Sequence, residues 1–373
     1  MIKSNVQQNK NGRILVDKIL TITVPSYNTE AYMDECIPTM LQHPYVRDLE
    51  ILLVNDGSSD RTLEKMEWYQ RRYPDTIVVI DQENAGHGSA VNLGIQRAKG
   101  IYFKVIDGDD LVLSQNLAKM MEQLSRCQAD LVIHPYIKWH AYTKKCRIVR
   151  YPLPDGRELQ FDEVAGNLKE VEIHAATYRT ALLRDNQIRV RERCFYEDTE
   201  YNIFPVRHIR TVCAFRNPVY LYRIGTAAQS IHPKQAFAHR RMHHRIIADC
   251  IAYDRKYSAS LSKGKQDYIR RIICKRIRSH YMIYIKNPMT ESRMRELLRW
   301  DSGFKEASPL LYQASDRFPI CVLRKNIRRM YPFVKAMYTV YAWLFHRLQV
   351  RKRKDTANGG RKQTAGIGGA GCK

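Results

Sequence analysis

Between Ile19 and about Tyr136 the chain alternates short, mainly apolar runs with amphipathic stretches. The runs are Ile19–Val24, Leu49–Val54, Thr76–Ile80, Ile101–Ile106 and Asp130–His134. Each is rich in Ile, Val and Leu and short enough for a buried strand. Between them, Leu63, Met66 and Tyr69, then Val91, Ile95 and Ala98, recur at helical spacing. Such alternation predicts an α/β fold, a mostly parallel sheet flanked by helices. Ligands of such sheets bind beyond the carboxyl ends of the strands. Four polar clusters fall there: Pro25–Asn28, Asn55–Asp60, Asn84–Ser89 and Asp107–Asp110.

Beyond Tyr136 the pattern loosens into an aromatic, Arg-rich and proline-broken stretch. Two β-like runs, Thr211–Phe215 and Val219–Ile224, bracket a turn at Asn217-Pro218. From about Lys234 the spacing is helical, and the Gly-rich end, Thr356–Lys373, predicts disorder. The expected organisation is a polar lead (1–18), a ligand-binding half (19–137), a second half (138–233), a helical basic region (234–355) and a tail (356–373).

Length and composition sharpen this only in part. At 373 residues, about two domains are expected. Hydrophobic residues at 44% and charged residues at 27% exclude wholesale disorder, collagen-like repetition and a multi-span membrane protein. The charge changes the picture more. Sixty-two basic against 38 acidic residues leave +24, a surplus that attracts phosphates of nucleic acid, anionic lipid or a diphosphate. Residues 320–373 hold 13 Lys/Arg and one acid, and the apolar, aromatic stretch Tyr331–Leu348 runs into Arg351-Lys352-Arg353-Lys354. That arrangement suits a helix on an anionic membrane surface. It suits equally a helix packed on the body with a solvated basic tail. Nine scattered cysteines without a CxxC point to reduced thiols. No apolar leader or run of about 18 apolar residues is present. The expected location is cytoplasmic, with the inner face of the membrane as a peripheral site.

The chemistry starts at Asp107-Gly108-Asp109-Asp110. Three carboxylates at a strand end repel one another unless a cation joins them, and hard cations such as Mg²⁺ or Mn²⁺ take oxygen ligands. An acidic turn is the plainer reading. The other clusters decide between them: Val24-Pro25-Ser26-Tyr27-Asn28, Val54-Asn55-Asp56-Gly57-Ser58-Ser59-Asp60, and the loop Glu83–Gly94, which contains Gly86-His87-Gly88. In order and spacing these motifs resemble the nucleotide-sugar-binding half of family 2 glycosyltransferases of the GT-A (Rossmann-like) fold, strongly over about 19–137 and more loosely to about 230.

The resemblance implies a UDP-sugar donor, with Pro25, Tyr27 and Asn28 lining the nucleotide pocket, Tyr27 packing on the base and Asp56 accepting from the uracil. It places Asn84, His87, Asn92 and Gly108 in the same site. Asp107 and Asp109 match a DxD motif holding ribose and a Mn²⁺ or Mg²⁺ ion on the diphosphate, with Asp110 supporting the ligands. Many members carry Arg where this chain has Val91, and His87 is the residue available to compensate. Asp60 reads instead as a helix cap.

Downstream, Cys194-Phe195-Tyr196-Glu197-Asp198-Thr199-Glu200 lies where the family places its acidic pair. The resemblance makes Asp198 the base of an inverting transfer, with Glu197 as runner-up and Glu200 as a supporting acid. An acidic first helical turn predicts the same residues. Tyr220-Leu221-Tyr222-Arg223, followed by Ser230, looks like the family segment that brings a basic residue and a hydroxyl to the diphosphate. The implied acceptor is a glycan or lipid-linked intermediate of cell-surface polysaccharide synthesis, and no nucleic-acid partner is expected. The competing readings are a basic nucleic-acid-binding protein and a retaining or inactive relative on the same fold. His239, His243 and His244 lack a third ligand for zinc and read as a basic helix surface.

Overall fold

The computed structural model describes residues 18–225 and 233–359, together with a short antiparallel pairing of Gln7–Gln8 with Ile14–Leu15. Two compact units are present: Met1–His232 with Arg241–Ile273, and Pro233–Arg240 with Cys274–Lys373.

The first unit opens with strictly alternating elements. They are β1 (Leu20–Ser26), α1 (Glu30–Leu41), β2 (Leu49–Asp56), α2 (Thr62–Arg72), β3 (Ile77–Gln82), α3 (His87–Arg97) and β4 (Tyr102–Val105). Then follow β5 (Leu111–Val112), α4 (Ser114–Arg126), β6 (Leu131–Ile133), β7 (Tyr136–His140) and β8 (Cys146–Val149). Strands β9 (Glu158–Gln160) and β10 (Ala176–Arg179) precede α5 (Asp198–Ile203), β11 (Thr211–Ala214) and β12 (Tyr220–Ile224). Every apolar run read from the sequence overlaps a strand.

The main sheet has the order β9-β11-β6-β10-β4-β1-β2-β3. Six of its strands run parallel, and β9 and β10 run against them. Strands β1 and β2 are buried along their whole length, as a sheet covered on both faces requires. The insertion of β10 between β4 and β6 went unread in the sequence, because its four residues, Ala-Thr-Tyr-Arg, carry no apolar run. A second sheet, β8-β7-β12-β5, lies at the strand ends, and its β12 residue Tyr220 bonds directly to the Asp107–Asp110 loop. Helix α6 (Arg240–Tyr257) joins this unit from Arg241, so part of the expected C-terminal region packs with the sheet domain.

The second unit is helical. It holds the end of α7 (Lys263–Lys286), then α8 (Glu291–Ala307), α9 (Pro309–Ala314) and α10 (Ile327–Gly359). Its core centres on Arg324, whose guanidinium lies 3.7 Å from the Tyr312 ring centroid and donates to Tyr281 Oη at 2.9 Å and Tyr312 O at 2.6 Å. Asp301 at 3.6 Å and Asp316 at 3.5 Å supply the counter-charge. Residues 356–359 of the expected tail continue α10, and the rest of that tail lies outside the described residues. Among the described residues no helix is long and apolar enough to cross a membrane.

Candidate active site

Strands β1, β2 and β4 end side by side, which brings three of the polar clusters together. Pro25 and Ser26 close β1 in register with Val54 and Asn55 of β2. The Asp107–Asp110 loop folds back on them: Gly108 N–H donates to Pro25 O at 3.3 Å. A Cβ at Gly108 would lie 2.5 Å from Ser26 Oγ, so only glycine fits this approach. Tyr27 is 53% exposed, leaving its ring available to a planar ligand. Asn28 turns the chain at φ +52°; its Oδ1 accepts from Ser59 N–H at 2.8 Å and its own N–H donates to Ser58 Oγ at 3.0 Å. Asp60 accepts from the N–H groups of Thr62 and Glu30 at 3.0 and 3.2 Å, the first residues of α2 and α1, although the N-cap position of α2 is Arg61.

Asp56 is buried, and its carboxylate organises the neighbouring loop. It accepts from Ala85 N–H at 2.8 Å, Gly86 N–H at 2.9 Å and Gln82 Nε2 at 2.6 Å, while Asn84 Nδ2 donates to Asp56 O at 2.8 Å. Asn92 is likewise buried, two turns into α3, and its amide clasps Val190 at both backbone atoms and Glu192 Oε1. Asn84 and Asn92 therefore hold the protein's own loops. Val91, at the position where many members of the resembling family carry Arg, is buried.

The carboxylate cluster is tightly wired. Tyr220 Oη lies 2.6 Å from Asp110 Oδ2 and 3.1 Å from Asp107 Oδ2, and it accepts from Asp107 N–H at 3.1 Å. Asp110 Oδ1 accepts from Arg223 N–H at 2.7 Å. Burial pushes the Asp109 carboxyl up to about 6, and the Asp107 charge adds to that. Burial and both neighbouring aspartates hold Asp110 well above the usual carboxylate range. Asp107 goes the other way: burial pushes it up, but the bond and charge of His87 outweigh this and bring it down to about 2. Oxygens of Asp107 and Asp110 and a ring nitrogen of His174 lie within 4.8 Å of one another. Burial draws His174 down to about 4, leaving a neutral imidazole, the form that ligates metals. Crowded carboxylates plus a neutral imidazole suit a divalent cation. Asp109, expected beside Asp107 as a ligand, is not in this converging set. His174 had no sequence signal, since it stands in Glu172-Ile173-His174 without a motif; its ring stacks on Tyr222 at 4.4 Å and lies tilted against Tyr220 at 4.7 Å.

On the other side, α5 begins at Asp198. The Tyr222 hydroxyl is pushed up by burial and then by Asp107, Asp110, Asp109 and Asp198 together, so all four carboxylates act on one group. Glu197 is buried and its Oε1 lies 2.7 Å from His87 Nδ1; His87 Nε2 is 2.9 Å from Asp107 Oδ1. Burial opposes charge on His87, yet its two carboxylate partners raise it well above its ordinary value. Glu200 turns inward, accepting from Arg191 N–H at 2.5 Å; burial pushes it up to about 7. Arg223 pairs with Glu35 at 2.5 Å and lies 5.1 and 5.5 Å from the ring centroids of Tyr32 and Trp139. Ser230 lies outside the described residues.

Residues 21–186, a little under half of the chain, match glycosyl transferase family 2, which marks this segment as a glycosyltransferase domain of that family. EpsJ of Bacillus subtilis, named a glycosyltransferase, is 33% identical over 213 residues, which cover 55% of this chain and 61% of EpsJ. GlyG of Streptococcus pneumoniae is 34% identical over 125 residues, 33% of this chain and 41% of GlyG. The chain thus spans less than two thirds of the length of these relatives. Among solved structures, S. aureus TarS 1–349 in complex with UDP-GlcNAc superposes with a TM-score of 0.58 at 16% identity, over 85% of this chain and 87% of TarS 1–349. At that identity the likeness speaks to the fold, which is the GT-A type expected from the sequence.

Proposed function

We propose that this protein is an inverting, metal-dependent transferase that moves a sugar from a UDP-linked donor to a glycan or lipid-linked acceptor. The observation that carries the reading is the convergence of Asp107, Asp110 and His174 within 4.8 Å of one another beside the carboxyl ends of parallel strands. Relatives named as glycosyltransferases and a structural neighbour whose title names UDP-GlcNAc support it.

Pro25, Tyr27 and Asn28 receive the nucleoside, and Tyr27 offers its exposed ring to the base. Asp107, Asp110 and His174 would hold Mn²⁺ or Mg²⁺, with Asp109 beside them. Bound there, the ion supplies positive charge to the diphosphate leaving group. Asp198 takes the proton of the acceptor hydroxyl as that oxygen bonds to the anomeric carbon and the bond to the diphosphate breaks. Glu197 is held by His87, which favours Asp198 over it as the base. Arg223 orders the wall of the site through Glu35 and Asp110. Cell-surface polysaccharide synthesis at the inner face of a membrane is the setting, with the basic C-terminal region as the contact to anionic lipid. Phe333, Val340 and Leu344 are exposed along α10 ahead of Arg351–Lys354, which supports that contact.

The test is UDP release from a panel of UDP-sugars in the presence of membrane lipids, with NMR of the product's anomeric configuration. Turnover that Asp198→Asn abolishes, with inverted configuration, is the expected result. Turnover that survives Asp198→Asn, or a retained configuration, contradicts it. Flotation of the full chain with anionic but not neutral vesicles is expected for the lipid contact.

A further inference from the structure

We infer that His87 is a positioning residue that fastens the segment carrying Asp198 to the donor side of the site. The inference rests on the reading of Asp198 as the base.

The segment from Val190 to Glu200 is docked on the start of α3 by a series of contacts distant in sequence. Asn92 Nδ2 donates to Val190 O at 2.8 Å, and Asn92 Oδ1 accepts from Val190 N–H at 2.9 Å. Arg193 N–H donates to Ala85 O at 2.6 Å. Gly88 makes the closest approach: a Cβ there would fall 2.2 Å from Arg191 O and 3.2 Å from Glu197 Cγ, so the two chains meet only because this position is glycine. Arg193 and Tyr196 adopt φ of +52° and +74°, values that side-chain-bearing residues hold only when their surroundings impose them.

Most of these contacts join backbone to backbone or amide to backbone. His87 is different in kind. At the first residue of α3, its imidazole stands between Asp107 of the strand-end cluster and Glu197, the residue directly before Asp198. One ring nitrogen faces each carboxylate, at 2.9 and 2.7 Å, so the ring fixes the spacing between the donor-side loop and the start of α5. With Nε2 hydrogen-bonded to Asp107 and Nδ1 in close ion-pair contact with Glu197, His87 acts on Asp198 through Glu197 and is placed to set the distance between base and donor. It sits one helical turn before Val91, on the same face of α3. The chain thus puts a polar side chain at 87 and an apolar one at 91, and ties 87 to the base-bearing segment.

The experiment is peptide-resolved hydrogen exchange of the full chain in wild type, His87→Ala and His87→Gln, with calorimetric titration of UDP and Mn²⁺ on each. Amides of residues 194–203 are expected to exchange at least about 10-fold faster in both variants, while β1 and β2 keep wild-type protection. UDP affinity in the presence of Mn²⁺ is expected to weaken by no more than about 10-fold, since His87 reaches the donor side only as an outer partner of Asp107. Millimolar imidazole is expected to restore protection to His87→Ala, because it fits between the two carboxylates; Ala with no ligand to refill the gap would not recover. Unchanged exchange at 194–203 overturns the inference. So does a loss of UDP affinity beyond about 10-fold with exchange unchanged, which makes His87 a donor contact. Loss of protection throughout the unit in both variants also overturns it, because a positioning residue acts locally. Failure of the wild type to bind UDP defeats the donor reading and leaves the exchange comparison to decide the His87 role.

Discussion

The Tyr220 hydroxyl and the Asp110 carboxylate meet at 2.6 Å, joining the first residue of β12 to the loop after β4 across 110 positions of sequence. Asp110 is fully buried, so this bond and the one from Arg223 N–H stand in for the water it has lost. Tyr220→Phe removes the hydroxyl and keeps the ring. Urea unfolding is expected to show a loss of about 1–3 kcal/mol, the cost of a buried polar group left without its partner. Mn²⁺-dependent binding of UDP is expected to weaken by roughly 10-fold or more, as when an outer hydrogen bond to a metal ligand is removed.

Asp198→Asn is expected to lower the rate of sugar transfer by about 10²–10⁴, the usual span for a general base, with UDP binding unchanged. Glu197→Gln is expected to act through His87 and to cost less. Steady-state transfer assays on both variants check the order of the two effects.

Lys104 lies wholly buried in β4, with Nζ donating to His174 O at 2.8 Å and Ala176 O at 3.3 Å. Burial brings it down to about 7 from an ordinary 10.5. Between those values the native state has shed a proton that the unfolded state keeps, so this residue makes stability rise with pH from about 7 to 10.5. Lys104→Met is expected to lack that rise. The gap between wild-type and variant stability should move by on the order of a few kcal/mol in favour of wild type across the window, as read by urea unfolding at a series of pH values. A constant gap contradicts the assignment.

The sheet was legible because its parallel strands are buried on both faces and read as continuous apolar runs. Strand β10 was not, since antiparallel insertion between β4 and β6 needs only four residues and leaves no periodic trace. The carboxylates announced themselves by lying together in sequence at a strand end. His174 did not, because its ring nitrogen reaches Asp107 and Asp110 only through the folding of β10 against β4. Asp56 and Asn92 show a different limit. The sequence motif makes them candidate ligand contacts, and their hydrogen bonds also organise the loop at 84–86 and the segment at 190–192. Spacing in sequence shows that a polar group is needed at a position; it does not show whether protein or ligand satisfies it.

In the helical unit, Arg324 is the expected weak point. Its side chain is buried among Tyr281, Phe304 and Tyr312 and faces Asp301 and Asp316. Arg324→Ala leaves part-buried Asp301 without its cation and empties the space between the three rings, and should cost about 3–5 kcal/mol. Arg324→Lys should recover little, because an ammonium cannot stack and fork in the same way. Thermal unfolding of the two variants, followed by near-ultraviolet circular dichroism of Trp300, reads this directly.

The central claim is that the Asp107–Asp110 loop and His174 bind a nucleoside diphosphate together with a divalent cation. Calorimetric titration of UDP, with and without Mn²⁺, against wild type, Asp107→Asn and His174→Ala tests it most directly. The prediction is UDP binding in wild type that requires Mn²⁺, and that each substitution weakens by at least about 10-fold. UDP binding that is indifferent to Mn²⁺, or that both variants retain in full, would contradict it.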